Sequence, residues 1–326
     1  MKAILVQGEK DNPRLVWGEA ADPVYGPDEV LVEVQAAAVN RADLWQARGQ
    51  YPPPPGASDI LGLEMAGVVR EVGAAVQMFN TGDRVCALLP GGGYAELAAV
   101  PAGMLLQLPD DWTFVQGAAV PEVWYTAFIN LFDEGQLKPG ESALIHAGAS
   151  GVGTAAIQLA ADVGARVFAT AGSAAKLARC RELGAEVAVN YKDQDFAAEI
   201  LAATGGEGVD VILDCVGGGY LARNVALLKR FGRLVNIANL GGSTGELDMG
   251  RVLGRRLRII GSTLRGRPVA EKIAITRRFE AEVWPKLLDG RLRPIIDRVF
   301  PITEAEAAHR YVAENRNIGK VILEVG

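Results

Sequence analysis

Apolar and polar residues alternate along the first third of the chain, a pattern typical of β-strands. Val30, Val32, Val34 and Ala36 occupy every second position after the turn residues 27–28, and side chains two residues apart lie on one face of a strand. Glycines separate further predicted strands over residues 65–72, 84–88 and 94–100. We therefore expect a small, barrel-like β domain in this part of the chain.

From Pro121 onward, short apolar segments alternate with segments of helical periodicity. Apolar residues spaced for a helix follow the glycine-rich turn after residue 147, and Gly164 ends that helix. Ser173 is placed to cap the next one. Strands are predicted over residues 142–147, 166–171, 186–190, 209–215, 233–238 and 257–262, with further helices over 196–203 and 220–229. Six strands joined by helices predict an α/β fold with a doubly wound parallel sheet, the Rossmann architecture.

The last sixty or so residues become helical after Arg265 and then return to β character. Thr303 and Glu306 form a capping-box pattern for a helix through Val312, and residues 320–325 predict a closing strand. We expect this tail to rejoin the first domain. The predicted domains are therefore a discontinuous one over residues 1–121 and 266–326, and a nucleotide-binding one over 122–265.

Composition narrows the functional classes. The 326 residues carry a net charge of −6, which argues against nucleic acid as the main partner, since phosphate backbones require a basic surface. The three cysteines are widely spaced, as expected for a reducing compartment. No targeting segment and no apolar segment of about 20 residues is visible. We expect a cytoplasmic protein without a membrane span.

A glycine-rich turn, Gly148 to Gly153, joins the strand at 142–147 to the following helix. Gly148 and Gly153 match the first and third glycines of a dinucleotide fingerprint, whereas Ser150 stands at the second, next to Gly151 and Val152. Such a turn lets a pyrophosphate approach the free N–H groups of the helix. A tight turn without a ligand is the alternative.

The end of the next strand distinguishes NADH from NADPH. An NAD site usually places an acidic residue there to hold the ribose hydroxyls, but Gly172 and Ser173 follow Ala171 here. Lys176 lies on the first turn of the next helix, and Tyr191 ends the third strand. Lys176 alone could be an ordinary solvated lysine. The missing acid nevertheless favours NADPH as the cofactor.

Several segments resemble one family along nearly the whole chain. They span residues 38–44, 49–51, 53–58, 60–64, 88–93, 144–148 and 317–320. They are similar to the quinone oxidoreductase branch of the medium-chain dehydrogenase/reductase superfamily, nearest to its p53-inducible type. The resemblance implies a β-rich, GroES-like catalytic domain, a Rossmann domain and NADPH in the cleft between them. It also implies hydride transfer to quinones and a homodimer formed through the last Rossmann strand, around residues 258–264.

The zinc-dependent alcohol dehydrogenases of the same superfamily hold catalytic zinc with a cysteine and with the histidine of a Gly-His-Glu segment. This sequence has Asn40 at the position of the cysteine, and Leu63 between Gly62 and Glu64 at that of the histidine. Neither residue supplies the ligands that zinc prefers. We expect no metal, and therefore no Lewis acid to activate an alcohol. A quinone needs no such activation.

The resemblance also assigns individual residues. Asn40 and Tyr51 are expected to face the nicotinamide and the quinone as catalytic residues, and Thr126 to contact the cofactor. A structural role for the Asn40 amide is an alternative, and we expect Asp43 to orient Arg41 or the local backbone.

Other candidates rest on position alone. Asn239 and Leu264 follow the fifth and sixth strands, where ligands bind in such sheets, so they are expected to contact the nicotinamide. Arg316 is a candidate for the adenosine phosphate or an ordinary solvated arginine. His146 is expected to be structural.

Three hypotheses follow. The first is a zinc-independent NADPH:quinone oxidoreductase. The second is an NADPH-dependent reductase of enoyl or enone double bonds, with Tyr51 as the proton donor. The third is a non-enzymatic NADPH-binding protein with an RNA-binding or crystallin-like role.

Overall fold

The computed structural model describes residues 1–325. The chain divides into two compact units, which we call unit 1 (Met1–Tyr125 with Leu264–Gly326) and unit 2 (Thr126–Thr263).

The strands are β1 (Lys2–Glu9), β2 (Asn12–Glu19), β3 (Glu29–Val39), β4 (Glu64–Val72), β5 (Arg84–Leu88), β6 (Leu97–Pro101), β7 (Leu105–Gln107), β8 (Ser142–Ile145), β9 (Arg166–Ala171), β10 (Val187–Asn190), β11 (Val209–Asp214), β12 (Leu228–Asn236), β13 (Arg258–Gly261), β14 (Ile296–Pro301) and β15 (Lys320–Glu324). The α-helices are α1 (Arg41–Ala47), α2 (Phe114–Ala118), α3 (Pro121–Phe128), α4 (Gly151–Asp162), α5 (Ala174–Glu182), α6 (Phe196–Ala203), α7 (Leu221–Leu227), α8 (Met249–Arg255), α9 (Val269–Glu282), α10 (Trp284–Leu288) and α11 (Ala305–Ala313). A π-helical turn spans Ile129–Glu134, and short 3₁₀ turns span Ala102–Met104, Gly217–Tyr220 and Ile302–Glu304.

Unit 1 is the β-rich, GroES-like unit. Its main sheet has the order β14-β15-β3-β4-β5-β7, with β6 paired to β3, while β1 and β2 form a separate hairpin. The predicted strands at 30–36, 65–72, 84–88 and 320–325 are confirmed, but the one at 94–100 begins only at Leu97. The closing strand β15 runs antiparallel to β3, with Val321 opposite Val39. This register places Lys320 beside the start of α1.

Unit 2 is a parallel sheet of six strands in the order β10-β9-β8-β11-β12-β13. The expected α/β fold with a doubly wound Rossmann sheet is therefore confirmed. Apolar residues such as Leu144, Phe168, Ile212 and Leu234 are fully or almost fully buried, as expected for parallel strands covered on both faces. None of the helices in residues 1–325 has the length and apolar character needed to cross a bilayer.

Two local predictions were wrong. The helix predicted over 220–229 ends at Leu227, because Leu228 already begins β12 and pairs with Val209. Thr303 does not cap a helix: a 3₁₀ turn covers Ile302–Glu304, and α11 begins at Ala305 without a side-chain cap. Glu306, the other member of the predicted box, instead accepts a hydrogen bond from the Leu15 N–H at 3.4 Å.

Candidate active site

The glycine turn between β8 and α4 is closely packed in unit 2. The Gly148 N–H donates to the Thr170 carbonyl at 2.8 Å, and a Cβ at Gly148 would lie 2.9 Å from the Cys180 sulfur. A Cβ at Gly153 would lie only 2.3 Å from the Ala147 carbonyl oxygen. Both glycines are therefore required by the packing of the turn itself.

The start of α4 fits an anionic ligand. Ser150 is the N-cap, and its Oγ accepts from the Gly153 N–H at 3.0 Å. The first N–H groups of any helix lack intrahelical partners, so those of Gly151 and Val152 point out from the turn at the positive end of a helix of twelve residues. This is the donor set that a pyrophosphate requires.

A second polar cluster lies at the carboxyl ends of β9 and β10. Ser173 caps α5 with its Oγ 3.5 Å from the Lys176 N–H. A Cβ at Gly172 would lie 2.8 Å from the Tyr191 hydroxyl and 3.1 Å from Lys192 Cε, so both side chains border the turn. Lys192 was not predicted from the sequence. No carboxylate follows Ala171 at the end of β9, where NAD sites usually have one.

The remaining predicted cofactor residues are divided between the units. Thr126 and Asn239 belong to unit 2, whereas Leu264 and Arg316 belong to unit 1. Arg316 lies over the Tyr311 ring at 4.7 Å and forms an exposed ion pair of 3.5 Å with Glu314. Thr126 is almost buried and its carbonyl accepts from Asn130.

His146 lies buried beneath the glycine turn. Its ring nitrogens contact Thr170 Oγ1 at 3.0 Å and Asn224 Oδ1 at 2.8 Å, and burial lowers its pKa. These contacts fit the structural role expected from the sequence.

In unit 1, the ammonium group of Lys320 lies beside Asn40. The Lys320 ammonium donates to Glu64 Oε1 at 2.7 Å, to Asn40 Oδ1 at 2.7 Å and to the Val39 carbonyl at 3.2 Å. Asn40 Nδ2 donates to Glu64 Oε1 at 2.8 Å, and the Glu122 N–H donates to Glu64 Oε2 at 2.9 Å. Glu64 is fully buried and Lys320 almost so. All three ammonium hydrogens thus have acceptors, and the amide of Asn40 is held from both ends.

Asp43 connects α1 to the surrounding loops. Its buried carboxylate accepts from the backbone N–H groups of Asn40 at 2.7 Å and Gly62 at 3.2 Å, and from the Tyr94 hydroxyl at 3.2 Å. Burial raises the pKa of Asp43 to about 6. Tyr94 also contacts His309 Nε2 at 3.2 Å, and burial lowers the pKa of His309 to about 3. Asp43 therefore orients the local backbone, which is one of the two roles expected from the sequence.

Tyr51 lies under an arginine. The Arg265 guanidinium carbon is 5.2 Å from the centre of the Tyr51 ring, and Nη1 donates to the Tyr51 carbonyl at 3.2 Å. Arg265 also donates to the Pro90 carbonyl at 2.7 Å and to Gln46 Oε1 at 2.6 Å. Burial, followed by the charge of Glu122, raises the pKa of Tyr51, so its hydroxyl stays protonated.

Two ionisable residues of unit 1 were not predicted from the sequence. Lys272, on α9, is almost fully buried and donates to the Arg265 carbonyl at 3.0 Å. Glu122 lies on the first turn of α3, and its Oε2 is inaccessible to solvent and has no hydrogen-bond partner in the described part of the chain. Neither residue lies in a recognisable motif. Only the fold brings Lys272 to the Arg265 carbonyl and the Glu122 N–H to Glu64.

No group of three His, Cys, Asp or Glu side chains within residues 1–325 is arranged to hold a metal ion.

Comparison with known families and proteins assigns both units. Residues 26–110 match the alcohol dehydrogenase GroES-like domain, and residues 151–279 match the zinc-binding dehydrogenase family. The rat synaptic vesicle membrane protein VAT-1 homolog is 34% identical over 98% of this chain and 82% of that protein. Other curated relatives are Streptomyces polyketide synthases, of whose length the chain spans only 6% to 13%.

Solved structures share the fold along the entire chain. The quinone oxidoreductase of Escherichia coli, solved as a complex with NADPH, has a TM-score of 0.86 and 28% identity, with 99% of each chain covered. The CurK enoyl reductase has a TM-score of 0.85 and 30% identity, covering 100% of this chain and 99% of that one. Together with the two matched domains and the VAT-1 relative, these likenesses show that the chain belongs to the medium-chain dehydrogenase/reductase superfamily of oxidoreductases.

Proposed function

We propose that the protein is a zinc-independent NADPH:quinone oxidoreductase of the quinone oxidoreductase branch, nearest to the p53-inducible type. The observation that carries the proposal is the position of the Lys320 ammonium between Asn40 and Glu64. Asn40 stands at the position of a zinc ligand in the alcohol dehydrogenases. Here its side chain accepts a hydrogen bond from the Lys320 ammonium of the same chain. A positive charge already neutralises the buried carboxylate, although the matched family is described as zinc-binding.

This substitution changes the chemistry that the site supports. An ammonium fully occupied by three acceptors has no open coordination position at which an alcohol could bind and lose its proton. The protein would then act on acceptors that need no metal activation. Quinones accept hydride readily, and the quinone oxidoreductase of Escherichia coli shares the fold.

We propose NADPH as the cofactor, held by unit 2. Gly148, Ser150, Gly151, Val152 and Gly153 would hold the pyrophosphate through backbone N–H groups. The phosphate on the adenosine ribose would contact the cluster at the ends of β9 and β10, formed by Gly172, Ser173, Lys176, Tyr191 and Lys192. Thr126, Asn239, Leu264 and Arg316 remain proposals for the rest of the cofactor.

Each proposed acceptor-side residue has a separate task. NADPH supplies the hydride when bound. The Tyr51 hydroxyl would donate a hydrogen bond to the acceptor oxygen, while Arg265 fixes its ring. Asn40 would act as a positioning residue, because both ends of its amide are already bonded to Glu64 and Lys320.

We also propose a homodimer paired through the edge strand β13. Ile259 on this strand is 42% exposed, and Leu253 and Met249 on the neighbouring α8 are 81% and 64% exposed. An edge strand with unpaired backbone groups beside exposed apolar side chains favours association with another copy.

A panel of acceptors tests the proposed function. NADPH oxidation should be fastest with soluble ortho- and para-quinones, and primary alcohols should give no reduction of NADP⁺. Turnover confined to alcohols would contradict the proposal. Reduction of an activated enone with quinones inert would instead favour double-bond reduction, the second candidate, which the likeness to CurK enoyl reductase supports.

A further inference from the structure

One carboxyl group of unit 1 has an oxygen that is neither solvated nor bonded. Glu122 begins α3, and its backbone N–H is fixed to Glu64 Oε2 at 2.9 Å. Its own Oε2 is inaccessible to solvent and has no hydrogen-bond partner among the residues described. A buried polar atom without a partner is costly, and a catalytic role is one of the reasons for which such an atom is retained.

The charged groups around Glu122 determine its protonation. Burial and the neighbouring carboxylates Glu64 and Asp43 raise its pKa to about 8, against the opposing effect of Lys320 and Arg265. Tyr51 and Lys272 also interact with it electrostatically. Burial raises the pKa of Tyr51 and the charge of Glu122 adds to this rise, whereas burial lowers the pKa of Lys272 and the charge of Glu122 opposes this fall. The group is therefore mainly a neutral carboxylic acid at pH 7, and its backbone N–H binds the same Glu64 carboxylate as the amide of Asn40.

We propose that Glu122 is the general acid that delivers the proton consumed with each hydride transfer, an inference that rests on the proposed reductase function. Hydride from NADPH adds to the quinone and leaves NADP⁺ and a hydroquinone monoanion. The O–H bond of Glu122 breaks, a new O–H bond forms on the anionic oxygen, and Glu122 becomes a carboxylate. A proton from solvent restores it before the next turnover.

Other groups are less suited to this task. The phenol of Tyr51 has a pKa above its ordinary value of 10, so it is a hydrogen-bond donor rather than an efficient acid at neutral pH. The two histidines of the sequence are both buried, and His309 is bonded to Tyr94. Lys272 and Lys320 are bonded to backbone or side-chain oxygens.

The test compares Glu122→Gln with Glu199→Gln. Both glutamates lie in the first turn of a helix, but Glu199 is exposed on α6 in unit 2. We expect kcat of Glu122→Gln with a quinone to fall about 10²-fold or more, while the Kd of NADPH is unchanged. The kcat of the wild-type protein should fall tenfold per pH unit above about pH 8, and Glu122→Gln should lose this dependence. Glu199→Gln should match the wild type throughout.

A Glu122→Gln variant with wild-type kcat and an unchanged pH dependence would overturn the inference alone. If the wild type reduces an enone but no quinone and still shows the Glu122-dependent limb, the proposed substrate is wrong and the acid assignment stands. If Glu122→Gln does not fold, Glu122→Asp retains an acid at the same place. It should keep the alkaline limb at reduced kcat, and loss of that limb in a folded Glu122→Asp would contradict the proposal.

Discussion

Replacing Lys320 by Met tests the buried ion pair of unit 1. Met retains most of the length of the side chain but removes the ammonium and its three hydrogen bonds, two of them at 2.7 Å. Glu64 would keep the Asn40 amide and the Glu122 N–H as donors, but its charge would be uncompensated and fully buried. Removing one partner of a buried ion pair costs about 3–5 kcal/mol, and we expect a loss of unfolding free energy in that range.

The assay uses the distribution of tryptophans. The five tryptophans, Trp17, Trp45, Trp112, Trp124 and Trp284, all lie in unit 1. Urea unfolding followed by tryptophan fluorescence therefore reports on this unit without a contribution from unit 2.

Two further variants complete the experiment. Arg291→Met removes an exposed ion pair of similar length, 2.8 Å to Asp289 in unit 1, and should cost less than about 1 kcal/mol. Lys320→Met combined with Glu64→Gln removes the unpaired charge and should recover more than half of the single-variant loss. A Lys320→Met variant that loses less than about 1 kcal/mol, or a double variant no more stable than the single one, would refute the assigned role of the pair.

Three further predictions concern the cofactor and pH. Gly153→Ala places a Cβ 2.3 Å from a carbonyl oxygen. This variant should lower stability by about 1–3 kcal/mol and weaken NADPH binding, as measured by calorimetry. Gly254→Ala, whose added Cβ has nothing within 4 Å, should do neither. Lys192→Gln and Lys176→Gln should each raise the Kd of NADPH several-fold while leaving that of NADH unchanged in fluorescence titrations, and equal effects on both cofactors would contradict the proposed phosphate site. Between pH 6.5 and 8 the unfolding free energy of unit 1, measured by urea titration, should fall as pH rises. Glu122→Gln should reduce the slope of this free energy against pH, and an unaltered slope would contradict a protonated Glu122.

The fall in stability between pH 6.5 and 8 is caused by the difference in proton binding between the folded and unfolded states. Glu122 has a pKa of about 8 when folded, against an ordinary value of 4.5, so the native state binds more protons than the unfolded chain between these pKa values. Its stabilising contribution is complete below about pH 4.5 and is lost as pH rises through 8. Asp43, with a pKa of about 6, and His309, with a pKa of about 3 against 6.5, titrate mainly below pH 6.5, which isolates the effect of Glu122.

Local sequence patterns predicted the framework of both units because each depended on neighbouring residues. Strands β5 and β9 have the predicted bounds, and Ser173 caps α5 as expected. Predictions failed where an apolar segment continued through a boundary, as at Leu228. They also failed where the side chains of a motif found other partners, as Glu306 did.

The chemistry of the acceptor side could not be predicted in the same way. Lys320 and Glu64 are 256 residues apart, and only the register of β15 against β3 brings the lysine to Asn40. The Gly62-Leu63-Glu64 segment indicated an absent metal ligand, but not the ammonium that neutralises its glutamate. The raised pKa of Glu122 depends on its burial among residues from distant segments of the chain. No spacing in the sequence indicates that arrangement.

Turnover of metal-stripped protein shows whether hydride transfer from NADPH proceeds without a metal. Protein treated with a strong chelator and shown by elemental analysis to lack zinc should reduce an ortho-quinone with undiminished kcat, and with a lower KM for NADPH than for NADH. Loss of turnover on chelation, with recovery when zinc is added, would show that the enzyme depends on a metal and would exclude the proposed zinc-independent reaction.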